Sequence, residues 1–249
     1  MTGSTADTAK WIRRFQPAPE ATARLVCFPH AGGAASYYFS VAKRLAPAIE
    51  VLAVQYPGRQ DRRTEPCADS VQELAEQVLD QLRPWSDQPL ALFGHSMGAS
   101  VAFEVARRLE ESGTPPRALF ASGRTAPART RNEGVHALPD DEFLDALREL
   151  DGTESAALES EELMKLALPA LRADYRIAET YAYRPGPPLH CPLHVLLGVD
   201  DPKVSADEAR DWAAHTTGAF RFHPFPGGHF YLNAESDGVL RLVREHLAR

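Results

Sequence analysis

The chain has 249 residues, 44% of them hydrophobic and 24% charged, the composition of a globular protein long enough to bury one large core. A formal net charge of −7 excludes a broad basic footprint for nucleic acid and a polybasic membrane anchor. Three cysteines, Cys27, Cys67 and Cys191, stand at unrelated spacings and supply neither a disulfide framework nor a paired-cysteine metal knuckle.

The polar segment Met1 to Lys10 lacks the apolar core of a secretory leader, and no stretch approaches the roughly 18 apolar residues of a membrane span. The expected setting is the cytoplasm, with reduced thiols and no membrane contact. From about Leu25 to Ala121, short apolar runs alternate with amphipathic stretches, which predicts strand-helix units feeding a parallel sheet. Leu25–Phe28, Val51–Val54, Leu90–Phe93 and Ala118–Ala121 are the strand runs; their lack of alternation suits strands covered on both faces. Ser70-Val71-Gln72-Glu73 reads as a capping box opening a helix to about Arg83, with Val71, Leu74, Val78 and Leu82 inward and Pro84 as its stop. A second helix is predicted from Met97 to about Glu111, with Val101, Val105 and Leu109 inward and Gly113 and Pro115 beyond its end. Arg124 to Pro188 holds no strand pattern and reads as helices over about Asp140–Leu150 and Ser160–Tyr183, the second broken or restarted at Pro169. Strand runs resume at Leu193–Leu197 and Phe220–His223, and a last helix covers about Glu235–Ala248. The fold class is therefore α/β: one domain over residues 1–249, a mostly parallel sheet flanked by helices, with a helical insertion over 125–188. No internal repeat or low-complexity tract is visible.

Gly94-His95-Ser96-Met97-Gly98 directly follows a strand run and directly precedes a helix. That setting turns a common G-x-S-x-G pattern into a candidate nucleophile elbow, in which a serine sits exposed on a strained turn at the sheet edge. The two glycines fit a turn so tight that a Cβ would meet neighbouring backbone. A serine hydroxyl needs a base, and the base needs a carboxylate to orient it; in this architecture the chain order is Ser, acid, His. Of nine histidines, only His215, His223, His229 and His246 lie beyond the acidic loop that follows the Leu193 run. His215 and His246 fall in predicted helices and His223 in a strand, where packing or surface roles suffice. His229 lies instead in Pro226-Gly227-Gly228-His229-Phe230, a glycine-rich loop after the last strand, and is the predicted base. The acid comes from Asp200-Asp201; Asp201, three residues beyond Gly198, is favoured, with Asp200 as the alternative. An oxyanion hole takes its first donor from the amide after the nucleophile, Met97, and its second from the loop Phe28-Pro29-His30-Ala31-Gly32-Gly33, where Ala31 is the choice.

With these pieces placed, the chain from about Leu25 onward resembles the type II thioesterases, the discrete editing hydrolases of polyketide synthases and nonribosomal peptide synthetases, members of the α/β-hydrolase superfamily. Phe28-Pro29-His30-Ala31-Gly32-Gly33, Tyr56-Pro57-Gly58-Arg59, Gly94-His95-Ser96-Met97-Gly98 and Gly227-Gly228-His229-Phe230 carry the resemblance. It implies hydrolysis of acyl thioesters held on the phosphopantetheine arm of acyl or peptidyl carrier domains, by a monomer without a cofactor or metal of its own. It also implies that the insertion over 125–188 is a lid shaping the acyl pocket, and it carries the acid onto Asp201, since a gap of 28 residues separates it from His229 as usual in the family. A carboxylesterase or lipase shares the same residues; a macrocyclising thioesterase is usually a terminal synthase domain; a noncatalytic hydrolase-fold binding protein usually lacks a member of the trio. Arg62-Arg63, Arg107-Arg108 and Arg124, Arg129 and Arg131 are candidate contacts for an acidic carrier, or simply solvated faces.

Overall fold

The computed structural model of the protein describes residues 5–129, 132–151 and 161–247. In chain order the elements are α1 (Thr5–Trp11), β1 (Ile12–Arg13), β2 (Ala23–Phe28), α2 (Phe39–Leu45), β3 (Ile49–Val54), α3 (Val71–Leu82), β4 (Leu90–His95), α4 (Met97–Glu111), β5 (Ala118–Ser122), α5 (Asp140–Asp151), α6 (Glu161–Glu179), β6 (Leu193–Gly198), α7 (Ala206–Arg210), β7 (Phe220–Phe225) and α8 (Ser236–Leu247). Among the described residues the strands form one sheet in the order β1-β3-β2-β4-β5-β6-β7, parallel throughout except for β1, which pairs antiparallel with β3.

Two apolar layers cover the sheet. Side chains of α3 and α4, with Trp212 and the C-terminal end of α6, pack on one face; α2 and α8 cover the other. This double covering is why β2 to β6 read as continuous apolar runs while the edge strand β7 stays half-exposed. The chain runs from β2 outward to β3, then crosses back over β2 to β4, so the winding reverses between β2 and β4. In doubly wound sheets a ligand crevice opens beyond the carboxyl ends of the strands at such a reversal. Ala31 follows β2 and Ser96 follows β4, on the two sides of that crevice.

Several sequence expectations need correction. The capping box before α3 is only half formed: Ser70 Oγ accepts from the Glu73 N–H at 3.1 Å, but Glu73 reaches back to the Asp69 N–H rather than to that of Ser70. The helix predicted over Ser160–Tyr183 ends at Glu179 and runs through Pro169 without a break, while Ser160 itself lies outside the described residues. Proline costs such a helix about 3 kcal/mol, which the burial of Met164, Ala170, Ile177 and Ala178 along α6 outweighs at about 1.5–3 kcal/mol for each large side chain. Elements α1, β1, α2 and α7 are too short to have shown a period, and Ala248 of the predicted last helix falls outside the described residues.

At the far side of the sheet His194 of β6 is buried, stacked on Phe120 and His223 at 4.8 and 5.3 Å and set against His246 at 4.1 Å. Burial, reinforced by His246, His223 and Arg221, lowers its pKa to about 3. His30 is lowered to about 4 by burial and by His229 and Arg59. Unfolded, both titrate near 6.5, so below that pH the unfolded chain binds more protons than the folded one. Their contribution to stability is complete above about pH 6.5 and shrinks as pH falls towards 4, by up to about 1.4 kcal/mol per pH unit for each group. The melting temperature is expected to fall over that interval, and His194→Phe, which keeps the stack on Phe120, to flatten the decline; an unchanged slope in a thermal-melt series would remove His194 from the explanation.

Candidate active site

The turn from β4 to α4 places Ser96 at φ 54 and ψ −121, a region that a non-glycine residue occupies only when its surroundings hold it there. The Ser96 N–H donates to the Ser122 carbonyl at 2.8 Å, and the Ser96 carbonyl accepts from the Ala99 N–H at 2.9 Å. A Cβ at Gly94 would stand 2.1 Å from the Gly98 carbonyl oxygen, and one at Gly98 would stand 2.2 Å from that of Phe28. Both glycines are therefore fixed by backbone on two sides, and the second locks the start of α4 against the loop after β2. The first N–H groups of a helix have no intrahelical acceptor, so the Met97 amide at the start of α4 is available to a developing negative charge.

His229 comes from the loop after β7 and Asp201 from the loop after β6. The His229 imidazole Nδ1 lies 2.8 Å from Asp201 Oδ2, and both side chains are buried. The two loops are tied together by the Asp200 N–H donating to Gly227 O at 3.0 Å and the Val199 N–H donating to Phe225 O at 2.9 Å. Gly198 permits this approach, since a Cβ there would meet Gly228 O at 2.2 Å. The other oxygen of Asp201 accepts from the Lys203 N–H at 2.8 Å, leaving the carboxylate one orientation. Asp200 is exposed, as a solvated loop aspartate. His215, His223 and His246 sit away from this loop pair, in ring contacts with Trp212, Phe120 and His194.

Ser96, Ala31 and His229 line one cavity of about 80 Å³, together with Gly123, Tyr175 and Glu179. Behind His229 stands His95, ring centroids 5.0 Å apart, with its Nδ1 2.9 Å from Ser122 Oγ, which is itself 2.7 Å from the Tyr231 hydroxyl. Burial first, then His229 and His30, holds His95 well below the usual histidine range, so it packs as a neutral ring. Adjoining this cavity is a larger one of about 730 Å³ beneath α5 and α6, lined by Leu147, Met164, Leu171, Tyr175 and Phe230. Ala31, Leu150 and Tyr175 face both.

The loop after β2 is held from above. Asp174 on α6 accepts from the Gly32 N–H at 2.8 Å and from both terminal nitrogens of Arg59 at 2.6 and 2.8 Å, and both side chains are buried. Burial alone would lower the Arg59 pKa; the Asp174 carboxylate outweighs it, and the guanidinium stays charged. The sequence reading picked out Arg59 only as part of a motif and missed Asp174. A signal was present: with Leu171 and Ala178, Asp174 falls at helical spacing on an apolar stripe, where a carboxylate has to find a cation.

Most of the arginines considered for an acidic partner are already engaged. Arg62 is buried against Glu65 and stacked on Trp11, Arg107 and Arg108 pair with Glu104, and Arg124 donates to Ser100 Oγ and the Ala178 carbonyl. Arg129 pairs with Asp211, and Arg131 lies outside the described residues. Arg63 is exposed at the rim of the larger cavity.

Known proteins share this architecture. The thioesterase domain family matches residues 23–247. Thioesterase PikA5 of Streptomyces venezuelae is 51% identical over 97% of this chain and 86% of its own length. A probable cadicidin biosynthesis thioesterase of Streptomyces griseus is 50% identical, over 95% of this chain and 66% of its own length. The solved type II thioesterase BorB, from the borrelidin biosynthetic cluster, superimposes with a TM-score of 0.91 at 54% identity, covering 95% of this chain and 97% of that one.

Proposed function

The chain belongs to the thioesterase domain family and is a thioester hydrolase of the serine-hydrolase class; on that premise we propose that it is a type II editing thioesterase, releasing stalled or mis-primed acyl groups from the phosphopantetheine arm of carrier domains in polyketide or nonribosomal peptide assembly. The chemistry rests above all on the strained Ser96 turn, which opens on the same cavity as the Asp201-supported His229. The substrate class rests on the relatives, among them a probable cadicidin biosynthesis thioesterase and a type II thioesterase from the borrelidin biosynthetic cluster.

In the proposed cycle His229 Nε2 removes the Ser96 proton as Oγ attacks the thioester carbonyl. The Ala31 and Met97 amides hold the oxyanion, and the pantetheine thiol leaves with a proton from His229. Thiols leave more readily than amines, so His229 carries less of the load as general acid than in a peptidase, but it remains the base for the water that frees Ser96. Asp201, by accepting from Nδ1–H, keeps Nε2 available for both proton transfers. The cycle calls for no cofactor beyond the arm brought by the carrier, and every group comes from one chain, in keeping with a monomer. α5 and α6 act as the lid over the larger cavity, which takes the acyl chain. Among the described residues no helix is long and apolar enough to cross a membrane, and the proposed site of action is the cytoplasm, beside the synthase.

The competing carboxylesterase reading differs in the bond cleaved. Steady-state hydrolysis of a panel of acyl-carrier proteins beside matched oxygen esters separates the two: kcat/KM is expected to favour the carrier thioesters by at least about 10²-fold, the scale of a few kcal/mol of differential transition-state binding. A preference for the oxygen esters would move the assignment to an esterase.

A further inference from the structure

The anchor between α6 and the loop after β2 bears on catalysis. Asp174 accepts from the Gly32 N–H, the amide next to that of Ala31, and clamps Arg59 with its two oxygens. Arg59 also donates to the carbonyls of Gly33 at 3.2 Å and Pro57 at 3.1 Å. The carboxylate and the guanidinium thus fix both sides of the Gly32-Gly33 turn. One helical turn earlier, Leu171 is packed so closely on Gly32 that a Cβ there would lie 2.2 Å from Leu171 Cδ2, and Gly32 itself sits at φ 73. Leu171 and Tyr175, on either side of Asp174 along α6, line the larger cavity. A single helix face therefore touches both the acyl chamber and the turn that carries the proposed second oxyanion donor.

A buried ion pair is a poor way to add stability, because removing two charges from water cancels much of their attraction. What it does well is fix geometry. We infer that Asp174, through Gly32 and Arg59, is a positioning residue that sets the Ala31 amide for the oxyanion, so that the lid helix and the oxyanion hole form one mechanical unit. This rests on the proposed thioesterase mechanism, in which Ala31 is a donor. A displacement of about 1 Å in such a group costs on the order of 10²-fold in rate, and outright loss of an oxyanion donor about 10²- to 10³-fold.

Two variants test it: Asp174→Asn, and the double variant Arg59→Met with Asp174→Leu, which removes the pair without stranding a buried charge and is expected to keep its fold by near-ultraviolet circular dichroism. Each is assayed for kcat and KM on an acyl thioester, for inhibition by the matching trifluoromethyl ketone, whose serine adduct carries an oxyanion, and for affinity towards the product acid. The expected result is a fall of about 10- to 100-fold in both kcat and ketone affinity, with KM and acid affinity changed by less than about threefold and the midpoint of the pH–rate profile unmoved. A folded double variant at wild-type kcat, or one in which ketone and acid affinities fall equally, would overturn the positioning role. Wild-type turnover that Ser96→Ala abolishes tests the underlying mechanism separately, so failure of one is not mistaken for failure of the other.

Discussion

Ser96→Ala is expected to lower kcat for acyl-thioester hydrolysis by about 10⁴- to 10⁶-fold, with KM within a few-fold of wild type. Only loss of its base, His229, should cost as much while leaving the fold alone. The strain of the turn comes from backbone: Ser96 N–H to Ser122 O, Ala99 N–H to Ser96 O, and the two glycines wedged against carbonyl oxygens. Alanine meets the same backbone demands as serine and removes one oxygen, so the turn and the substrate cavity are expected to persist. What disappears is the covalent route, and the residual rate is that of water attacking a thioester bound beside the oxyanion donors. A fluorophosphonate probe reads the same point: wild type is labelled and the variant is not. Equal labelling of both would remove Ser96 from the mechanism.

Asp201→Asn is expected to be the most damaging change after loss of Ser96 or His229, at about 10³- to 10⁴-fold in kcat, because it alters a tautomer rather than a position. Asp201 Oδ2 faces His229 Nδ1 at 2.8 Å, and its other oxygen is held by the Lys203 N–H. With the Lys203 N–H keeping the side-chain oxygen of asparagine, the amide nitrogen is turned towards the imidazole, where it donates. His229 then presents an unprotonated Nδ1 and a protonated Nε2, and cannot accept the Ser96 proton. Melting temperature should change little beside that loss, and the kcat deficit should persist across the pH range in which the wild type is active. Asp200→Asn, at the exposed neighbour, should leave kcat within about twofold, surface substitutions of this kind being nearly neutral. An equal loss in both variants would mean that the loop, not the carboxylate, matters.

How much of this could be read in the chain depends on how local each cause is. The covered strands announced themselves because Leu25–Phe28, Val51–Val54 and Leu90–Phe93 lie between two apolar layers and have no solvent face to record. Helix α4 was legible at both ends, since its start is a turn that demands Gly94 and Gly98 and its end is marked by Gly113 and Pro115. His229 and Asp201 could be put forward together because the order of the loops follows from a parallel sheet, and the structure brings the two into hydrogen-bond contact. Contacts decided by tertiary distance were not legible. Arg107, Arg108 and Arg124 look like surface cations in a linear sequence, yet Glu104, Ser100 and the Ala178 carbonyl engage them in the fold. Pro169 signals a helix break by its own chemistry and is overruled by the apolar face on which α6 packs. Asp174 was missed for a related reason: its cation lies 115 residues earlier, in a motif that could be recognised but not connected.

The central claim, that Ser96 takes an acyl group from a carrier-bound thioester, is tested most directly by mass spectrometry of the enzyme after rapid quenching with an acyl-phosphopantetheinyl carrier protein. The account predicts a mass increase equal to the acyl group, confined to the peptide containing Ser96, decaying as free acid appears and absent from Ser96→Ala. Turnover without an acylated enzyme, or an acyl group on any other residue, would contradict it.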